Sequence, residues 1–277
     1  MIDLHIHTTA TPHHSSWVPE DLAATAASRG LTVIAAADHN TTASVRALQA
    51  AGARHGLRVI SGVEIDSGYG GKLWHTLVYG ADPQAKELMA LCDAVFSRNA
   101  EDARQLMADL PQRGFGLSGL DTLGRTPNVA DVATALASQH DLPGRVLGEG
   151  DEEAGMRYLL TELPGAYSPP GVDEVIAVAH RVGALAVLAH PGRRKGIYAV
   201  PADAGDIASL AAAGLDGIEV YYPSHSAETR AFLLDHAQLH GLLVSGGNDS
   251  HHPHQALAAI SPDLVRDLLA RLDMIAG

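Results

Sequence analysis

The sequence contains one cysteine, few aromatic residues and fewer basic than acidic residues. Cys92 is the only cysteine among 277 residues, which excludes an internal disulfide and a zinc site built from cysteines. Only 4% of the residues are aromatic, so few side chains are available for stacking on successive bases. The 19 lysines and arginines face 32 acidic residues, and the net charge of −13 disfavours binding along a long nucleic acid.

The chain also lacks a hydrophobic run of the ~18 residues that suggest a membrane-spanning helix. Its first residues do not show the basic and apolar segments of a signal peptide. We therefore expect a cytoplasmic protein without a membrane partner. The hydrophobic content of 46% predicts an ordered domain with a sizeable core. No sequence feature indicates an oligomeric state.

Short apolar runs alternate with segments of helical period, which is typical of repeated βα units around a parallel sheet. Strands are predicted over residues 2–6, 33–37, 58–64, 73–79, 184–189, 217–220 and 242–245. Helices are predicted over residues 19–29, 42–55, 172–182, 224–240 and 262–274. The alternation stops between residues 83 and 170, where helical patterns dominate. We expect an α/β barrel from residues 1–82 and 171–277, with residues 83–170 as a helical insertion that caps one end.

Histidine is abundant, with 16 residues, and many polar residues lie at or near the carboxyl ends of predicted strands. The candidate metal ligands with this placement are His5, His7, His39, Glu64, His75, His190, Asp249 and His251. The functional face of an α/β barrel lies at these strand ends. One such residue alone is more often a structural polar group, but coincidence at several loops favours a shared metal site. Imidazoles with carboxylates and no thiolate suit Zn, Mn or Fe.

Six short motifs occur in a fixed order along almost the whole chain. They are Asp3-Leu4-His5-Ile6-His7-Thr8, Ala37-Asp38-His39-Asn40, Gly62-Val63-Glu64, Trp74-His75, Ala189-His190-Pro191-Gly192 and Asn248-Asp249-Ser250-His251. Together they resemble the PHP (polymerase and histidinol phosphatase) family, part of the amidohydrolase-like group of distorted (βα)7 barrels. The resemblance implies a metal-dependent phosphoesterase that carries two to three divalent ions of Mn, Zn or Fe.

The resemblance also implies how the ligands are divided among the ions. It assigns His5, His7, Glu64 and Asp249 to one ion, Glu64, His75 and His190 to a second, and His13, His39 and His251 to a third. Many family members have an aspartate ligand where this chain has Pro12. We expect His13 to replace that aspartate, and its neighbour His14 is the alternative.

Other polar residues are candidates for catalysis or substrate binding. Asp38 is a candidate general acid or an orienting group, and a carboxylate bonded to backbone amides is the alternative. His225 follows the sixth predicted strand, where relatives place a histidine that contacts phosphate, so we assign it to catalysis and substrate binding. Further candidates for substrate binding are Arg193, Arg194, Arg98 and Arg125, with solvated surface charge as the alternative. The glycine-rich residues 68–72 lack the spacing of a phosphate-binding loop, which favours a hairpin turn.

The expected reaction is hydrolysis of a small phosphorylated metabolite by metal-bound hydroxide. The insertion resembles the cap of PHP members that act on nucleotides, which favours a phosphomonoesterase for a nucleotide or a 3′,5′-bisphosphonucleotide. The first alternative is an exonuclease-like phosphodiesterase for short oligonucleotides or cyclic phosphates. An amidohydrolase-type C–N or C–O hydrolase and a non-catalytic metal-binding regulator are alternatives of other classes.

Overall fold

A computed structural model of the protein describes residues 1–11, 15–194 and 200–276, and its strands and helices form an α/β fold. The strands are β1 (Ile2–Ile6), β2 (Val33–Ala36), β3 (Arg58–Ile60), β4 (Gly62–Tyr69), β5 (Lys72–Tyr79), β6 (Leu185–Leu188), β7 (Gly217–Tyr221) and β8 (Leu243–Gly246). The α-helices are α1 (Pro19–Ser28), α2 (Val45–Arg54), α3 (Lys86–Gln112), α4 (Val129–Gln139), α5 (Asp151–Glu162), α6 (Val172–Arg181), α7 (Ala204–Ala212), α8 (Ala227–His240) and α9 (Arg266–Ala276). Short 3-10 helices cover Leu120–Thr122 and Pro262–Val265.

The strands form two sheets, and the parallel pairing expected from repeated βα units is wrong at β5. The first sheet has the parallel order β1-β2-β3. The second has the order β4-β5-β6-β7-β8, in which β5 runs antiparallel to both β4 and β6 while β6, β7 and β8 are parallel. A two-residue turn joins β4 to β5, and such a short connection can only join antiparallel strands.

The turn between β4 and β5 confirms the predicted hairpin. Gly70 and Gly71 have φ angles of +56° and +78°, the left-handed conformation that a two-residue hairpin turn requires at both positions. The third predicted strand, over residues 58–64, is divided into β3 and β4 at Ser61. Each part pairs with a different sheet, since β3 pairs with β2 and β4 pairs with β5.

Backbone bridges beyond the strand ends connect the two sheets at the positions of the polar motifs. The amide of His7 donates to the carbonyl of Ser250 at 2.9 Å, which links the end of β1 to the loop after β8. The amide of Asn40 donates to the carbonyl of Glu64 at 2.8 Å, which links the loop after β2 to β4. These bridges bring the end of β1 close to the loop after β8, and the loop after β2 close to β4.

The core that supports these strands is apolar. The stripe predicted for α6 is confirmed, because Val172, Val175, Ile176 and Ala179 are all buried. Fully buried side chains from β1, β5, β6 and α9 form one cluster, which includes Ile2, Leu77, Val187 and Leu268. A second cluster joins β1 and β2 to helices α1 and α2 and includes Ile6, Trp17, Leu22, Ile34 and Leu48. Burial of these side chains fixes the strand ends that carry the polar motifs.

The described chain divides into two compact units. The first comprises Met1–Asp93, Pro170–Arg193 and Pro201–Gly277, and the second comprises Ala94–Pro169 and Arg194–Val200. The second unit has its own apolar core, which includes Leu110, Val132, Leu136 and Leu159. Its helices α4 and α5 approach closely at Gly155, where a Cβ atom would lie 2.0 Å from the carbonyl oxygen of Ala133. Over the described residues, we find no helix with the length and apolarity needed to span a membrane.

Candidate metal centre

The centre of the site is the carboxylate of Glu64, which is fully buried on β4. Imidazole nitrogens of five histidines from different parts of the chain surround it. Oε2 lies 3.2 Å from His5 Nε2, 3.3 Å from His7 Nε2 and 3.4 Å from His39 Nε2. Oε1 lies 3.0 Å from His75 Nδ1 and 3.2 Å from His190 Nε2. A single carboxylate therefore bridges two groups of imidazoles.

Asp249 supplies a second carboxylate to the same cluster. Its Oδ1 lies 3.0 Å from His7 Nε2, 3.6 Å from His5 Nε2 and 3.5 Å from His251 Nδ1. Among the described residues other than glycine, positive φ angles occur at Asn40, His190 and Asp249. All three follow strand ends at the cluster, and such backbone strain concentrates at functional sites.

Three groups of donor atoms are close enough for each group to hold a metal ion, with all atoms of a group within 4.8 Å of one another. The groups are His5, His7, Glu64 and Asp249; His39, Glu64 and His75; and His7, His39 and His251. With His190 on Glu64, the structure brings together eight of the nine ligands expected from the sequence. His13 and its alternative His14 lie outside the described residues.

The hydrogen bonds around His5 fit a bound cation. His5 Nδ1 lies 3.1 Å from a carboxylate oxygen of Glu219 and donates its proton there, so the neutral ring has its lone pair on Nε2, where a metal can bind. His5 Nε2 and Glu64 Oε2 are buried, have no hydrogen-bond partner and lie 3.2 Å apart. A neutral imidazole nitrogen and a carboxylate oxygen that face each other in the interior are costly unless a proton or a metal ion lies between them. The donor set of imidazoles and carboxylates is suited to Zn, Mn or Fe.

The carboxylates and imidazoles shift each other's pKa values. Burial lowers the pKa of His7, but its hydrogen bond to Asp249 and the neighbouring carboxylate of Glu64 outweigh burial and raise the pKa to about 9. Burial raises the pKa of Glu64, but the neighbouring histidines hold it well below its usual range. Burial and the nearby His7 lower the pKa of His251 to about 3. Without a metal, protons on the imidazoles balance the carboxylates, so metal binding must displace protons.

Three residues that orient this cluster were not assigned that role from the sequence. Asp66 accepts hydrogen bonds from His39 Nδ1 at 3.2 Å and from Asn40 Nδ2 at 2.9 Å. The Tyr222 hydroxyl donates to Asp249 Oδ2 at 3.0 Å, and Glu219 holds His5. The sequence contains a signal for each of the two acidic residues. Asp66 is two residues from Glu64 and therefore on the same face of β4. Glu219 interrupts an otherwise apolar strand.

The contacts of Asp38 favour the orienting role over the general-acid role. Asp38 is 1% exposed, and its carboxylate accepts hydrogen bonds from the amide and hydroxyl of Thr8 and from the hydroxyls of Thr11 and Ser44. The Thr11 hydroxyl also lies 3.3 Å from His7 Nδ1. Asp38 thus acts on the cluster through Thr11, and its oxygens are occupied by protein donors.

The structure does not support the phosphate contact expected for His225. Its Nδ1 donates to the carbonyl of Val220 at 2.9 Å, and its Nε2 accepts from the amide of Gly192 at 3.1 Å. The ring is 2% exposed, and burial lowers its pKa. Both ring nitrogens therefore bind the backbone, and His225 stabilises the turn that follows His190.

The four arginines proposed for substrate binding have different environments. Arg193 Nη1 lies 3.5 Å from Asp249 Oδ2, which places this guanidinium at the cluster. Arg194 is exposed and belongs to the second compact unit, as does exposed Arg98. Arg125 forms a two-pronged ion pair with Asp131, with distances of 2.6 and 2.7 Å. The role proposed for Arg125 finds no support, because its guanidinium is held by this carboxylate.

Comparison with known proteins agrees with this geometry. The PHP domain model matches residues 3–116. The 3′,5′-nucleoside bisphosphate phosphatase of Chromobacterium violaceum is 30% identical over 260 residues, which cover 91% of this chain and 87% of the relative. A phosphoribosyl 1,2-cyclic phosphate 1,2-diphosphodiesterase of Eggerthella lenta is 29% identical over 259 residues, which cover 90% and 93% of the two chains.

A solved structure extends the similarity to the fold. A protein of Bifidobacterium adolescentis, described as a candidate metal-dependent phosphoesterase, matches with a TM-score of 0.74 and 25% identity. The match covers 98% of this chain and 96% of the other. The resemblance found from the motifs is thus confirmed: the chain belongs to the PHP family, and it is a metal-dependent phosphoesterase.

Proposed function

We propose that this protein is a phosphomonoesterase for a small phosphorylated metabolite, such as a nucleotide or a 3′,5′-bisphosphonucleotide. The observation that carries the proposal is the cluster around Glu64, with five imidazole nitrogens within 3.4 Å of its two oxygens. One carboxylate shared by two ligand groups is the arrangement that holds two cations close together. The name of the C. violaceum relative supports a bisphosphonucleotide as the substrate.

In this proposal the residues of the site have different roles around two to three divalent ions: some bind the ions, some orient the ligands, and Arg193 binds the substrate. Bound ions supply an activated water and neutralise the charge of the phosphate. Glu64 and Asp249 hold the ions together with His5, His7, His39, His75, His190 and His251, and we retain His13 as the ligand expected from the family. Asp66 and Tyr222 orient His39 and Asp249. Arg193, at 29% side-chain exposure beside Asp249, is positioned to bind a phosphate oxygen.

The test of this proposal is phosphate release from a panel of substrates with added Mn²⁺. The panel contains sugar phosphates, 5′-nucleotides, 3′,5′-bisphosphonucleotides, a cyclic phosphate and a dinucleotide. We expect the highest kcat/KM for a nucleotide or bisphosphonucleotide monoester. The name of the E. lenta relative favours a diesterase as the second candidate. Turnover of the cyclic phosphate or the dinucleotide, without turnover of monoesters, would replace our proposal with that candidate.

The environment of Lys72 disfavours an amidohydrolase-type reaction. Such enzymes commonly use a carboxylated lysine on a strand as a bridging ligand, and Lys72 begins β5. Its Nζ atom instead pairs with Asp206 and, at 3.1 Å, with Asp203. A lysine held in this way does not bridge ions at Glu64.

Replacement of Arg193 by alanine is expected to weaken substrate binding. A hydrogen bond between charged groups contributes ~1.5–3 kcal/mol, so we expect KM to rise roughly 10- to 100-fold. The measurement is steady-state phosphate release for Arg193→Ala and for the control Arg181→Ala, an exposed arginine on α6. An unchanged KM in Arg193→Ala would show that this guanidinium does not bind the phosphate.

We also propose the finer architecture expected from the sequence. The bridges from Ile6 to Ser250 and from His39 to Glu64 support closure of the two sheets into a distorted barrel. The separate core of the second compact unit supports an inserted subdomain within residues 83–170. The barrel would then carry the metal ligands.

A further inference from the structure

Glu219 is a buried carboxylate that contacts two members of the cluster without belonging to any of its metal-binding groups. It lies in β7, between β6 and β8, and its relative exposure is 0%. The residues on either side, Ile218 and Val220, are fully buried apolar side chains. A charge in such a strand is costly unless specific partners compensate it.

The first partner of Glu219 is the imidazole of His5. His5 Nδ1 lies 3.1 Å from Glu219 Oε1 and 3.3 Å from Oε2. An ionised carboxylate can only accept, so Nδ1 must carry a proton, and in the neutral ring that binds a metal the lone pair is then on Nε2. Nε2 is the atom that faces Glu64 Oε2 at 3.2 Å without a hydrogen bond. Glu219 therefore fixes both the tautomer and the direction of this ligand.

The second partner of Glu219 is the backbone of His190. The amide of His190 donates to Glu219 Oε2 at 2.8 Å. His190 has a φ angle of +30°, which is strained for a residue with a side chain. This backbone conformation accompanies the approach of its Nε2 to 3.2 Å from Glu64 Oε1. The same carboxylate thus stabilises ligands on both oxygens of Glu64.

We propose that Glu219 is a positioning residue that orients both His5 and His190. One buried carboxylate then holds a ligand at each of the two oxygens of Glu64. The inference rests on the proposed metal centre and adds a residue that holds its ligands rather than binding the ions. Loss of a group that orients a metal ligand typically lowers metal affinity 10- to 100-fold.

The experiment uses Glu219→Gln in the full chain. Glutamine has nearly the same shape, but it has no charge and an NH2 donor replaces one acceptor oxygen, so its hydrogen bonds to His5 Nδ1–H and to the amide of His190 are weaker. Mn²⁺ is titrated into metal-free protein and free Mn²⁺ is measured by electron paramagnetic resonance. We expect the affinity of the tightest sites to fall about 10- to 100-fold, with phosphate release recovering at saturating Mn²⁺. Glu87→Gln, an exposed glutamate on α3, is the matched control.

Two further measurements keep the test decisive. Thermal unfolding of metal-free protein reports the structural role separately, and a lower melting temperature with unchanged Mn²⁺ affinity would overturn the inference. If Glu219→Gln does not fold, Glu219→Asp is used, which keeps the charge but is one methylene shorter and is expected to lose affinity in the same direction. Wild-type affinity in that variant would also overturn the inference. A wild-type chain that binds no Mn²⁺ would overturn the metal centre itself, which distinguishes the two failures.

Discussion

Replacement of Glu64 by glutamine is expected to abolish phosphate release and to remove most of the bound metal. The carboxylate reaches both sets of imidazoles, His5, His7 and His39 with one oxygen and His75 and His190 with the other. Glutamine keeps the shape of the side chain but removes the negative charge. The ions then lose the ligand that they share.

The expected size of the effect follows from the charge that the ions stabilise. Metal ions contribute several kcal/mol of transition-state stabilisation, and ~4 kcal/mol corresponds to roughly 1000-fold in rate. We therefore expect kcat to fall at least about 1000-fold. Metal analysis should show a loss of bound ions in the same variant, because two groups of donors lose a member.

The control for this substitution is Glu87→Gln, which makes the same chemical change at an exposed position. It should keep the activity and metal content of the wild type. The two quantities are measured on the same samples, by steady-state phosphate release and by elemental analysis. Full activity in Glu64→Gln, or loss of activity with all metal retained, would show that Glu64 does not bridge the ions.

The sequence predicts the members of this cluster well because each lies at or near a strand end within a short motif. His5 and His7 are two residues apart on a strand, so they share a face whatever the rest of the fold does. Asp249 and His251 follow β8 in the same way. The structure accordingly brings eight expected ligands together. Local sequence is sufficient here because strand geometry fixes the direction of these side chains.

The sequence could not decide between the alternatives for Asp38 and for His225, because the partners of both residues are set by tertiary contacts. Asp38 is bound by Thr8 and Thr11, about thirty positions earlier in the chain. His225 binds the amide of Gly192, which is 33 positions away. A motif shows that such a residue is near the site, but only the packed strands show whether its polar atoms are already occupied.

The sequence pattern of β5 also did not determine whether the strand is parallel or antiparallel to its neighbours. The mostly apolar residues 73–79 fit a parallel or an antiparallel strand equally well. The deciding signal is the turn, since Gly70 and Gly71 both have positive φ angles and return the chain antiparallel to β4. The hairpin prediction was therefore correct. A hairpin makes β5 antiparallel to β4, and the βα pattern did not indicate this direction.

Removal of the metal by a chelator is expected to abolish activity and to lower thermal stability by an amount that grows with pH. A ligand at 100 times its dissociation constant adds ~2.7 kcal/mol to the free energy of unfolding. For a chain of this size, we expect each kcal/mol to shift the melting temperature by about 2–4 °C. The metal-free protein should therefore melt several degrees lower than the loaded protein at neutral pH.

The pH dependence arises from the imidazoles that carry protons when the metal is absent. Although burial lowers the pKa of His7, the hydrogen bond to Asp249 and the nearby carboxylate of Glu64 raise it from 6.5 to about 9 in the folded protein. Its protonated form therefore stabilises the fold fully below pH 6.5, and this contribution is lost as the pH rises through 9. The pKa of His5 is raised in the same direction, so both residues make metal-free protein less stable at higher pH.

The carboxylates and His251 do not change this sign. The pKa values of Glu64 and Asp249 are lowered, so the stability that they contribute is lost in acid and is constant at neutral and alkaline pH. His251, with a pKa of about 3, is neutral above 6.5 in both the folded and unfolded states. Metal binding strengthens as protons leave the ligands. The gap between loaded and metal-free protein should therefore widen from pH 6.5 to 8.5.

The measurement is thermal unfolding of loaded and metal-free protein at pH 6.5, 7.5 and 8.5. His7→Gln removes a titrating imidazole, so it should flatten the decline in metal-free stability. His254→Gln, at an exposed position, should leave that decline unchanged. Metal-free protein that becomes more stable as the pH rises would contradict the protonated imidazole cluster. Recovery of both activity and melting temperature when Mn²⁺ is added back would show that the chelator acted by removing the ions rather than by damaging the fold.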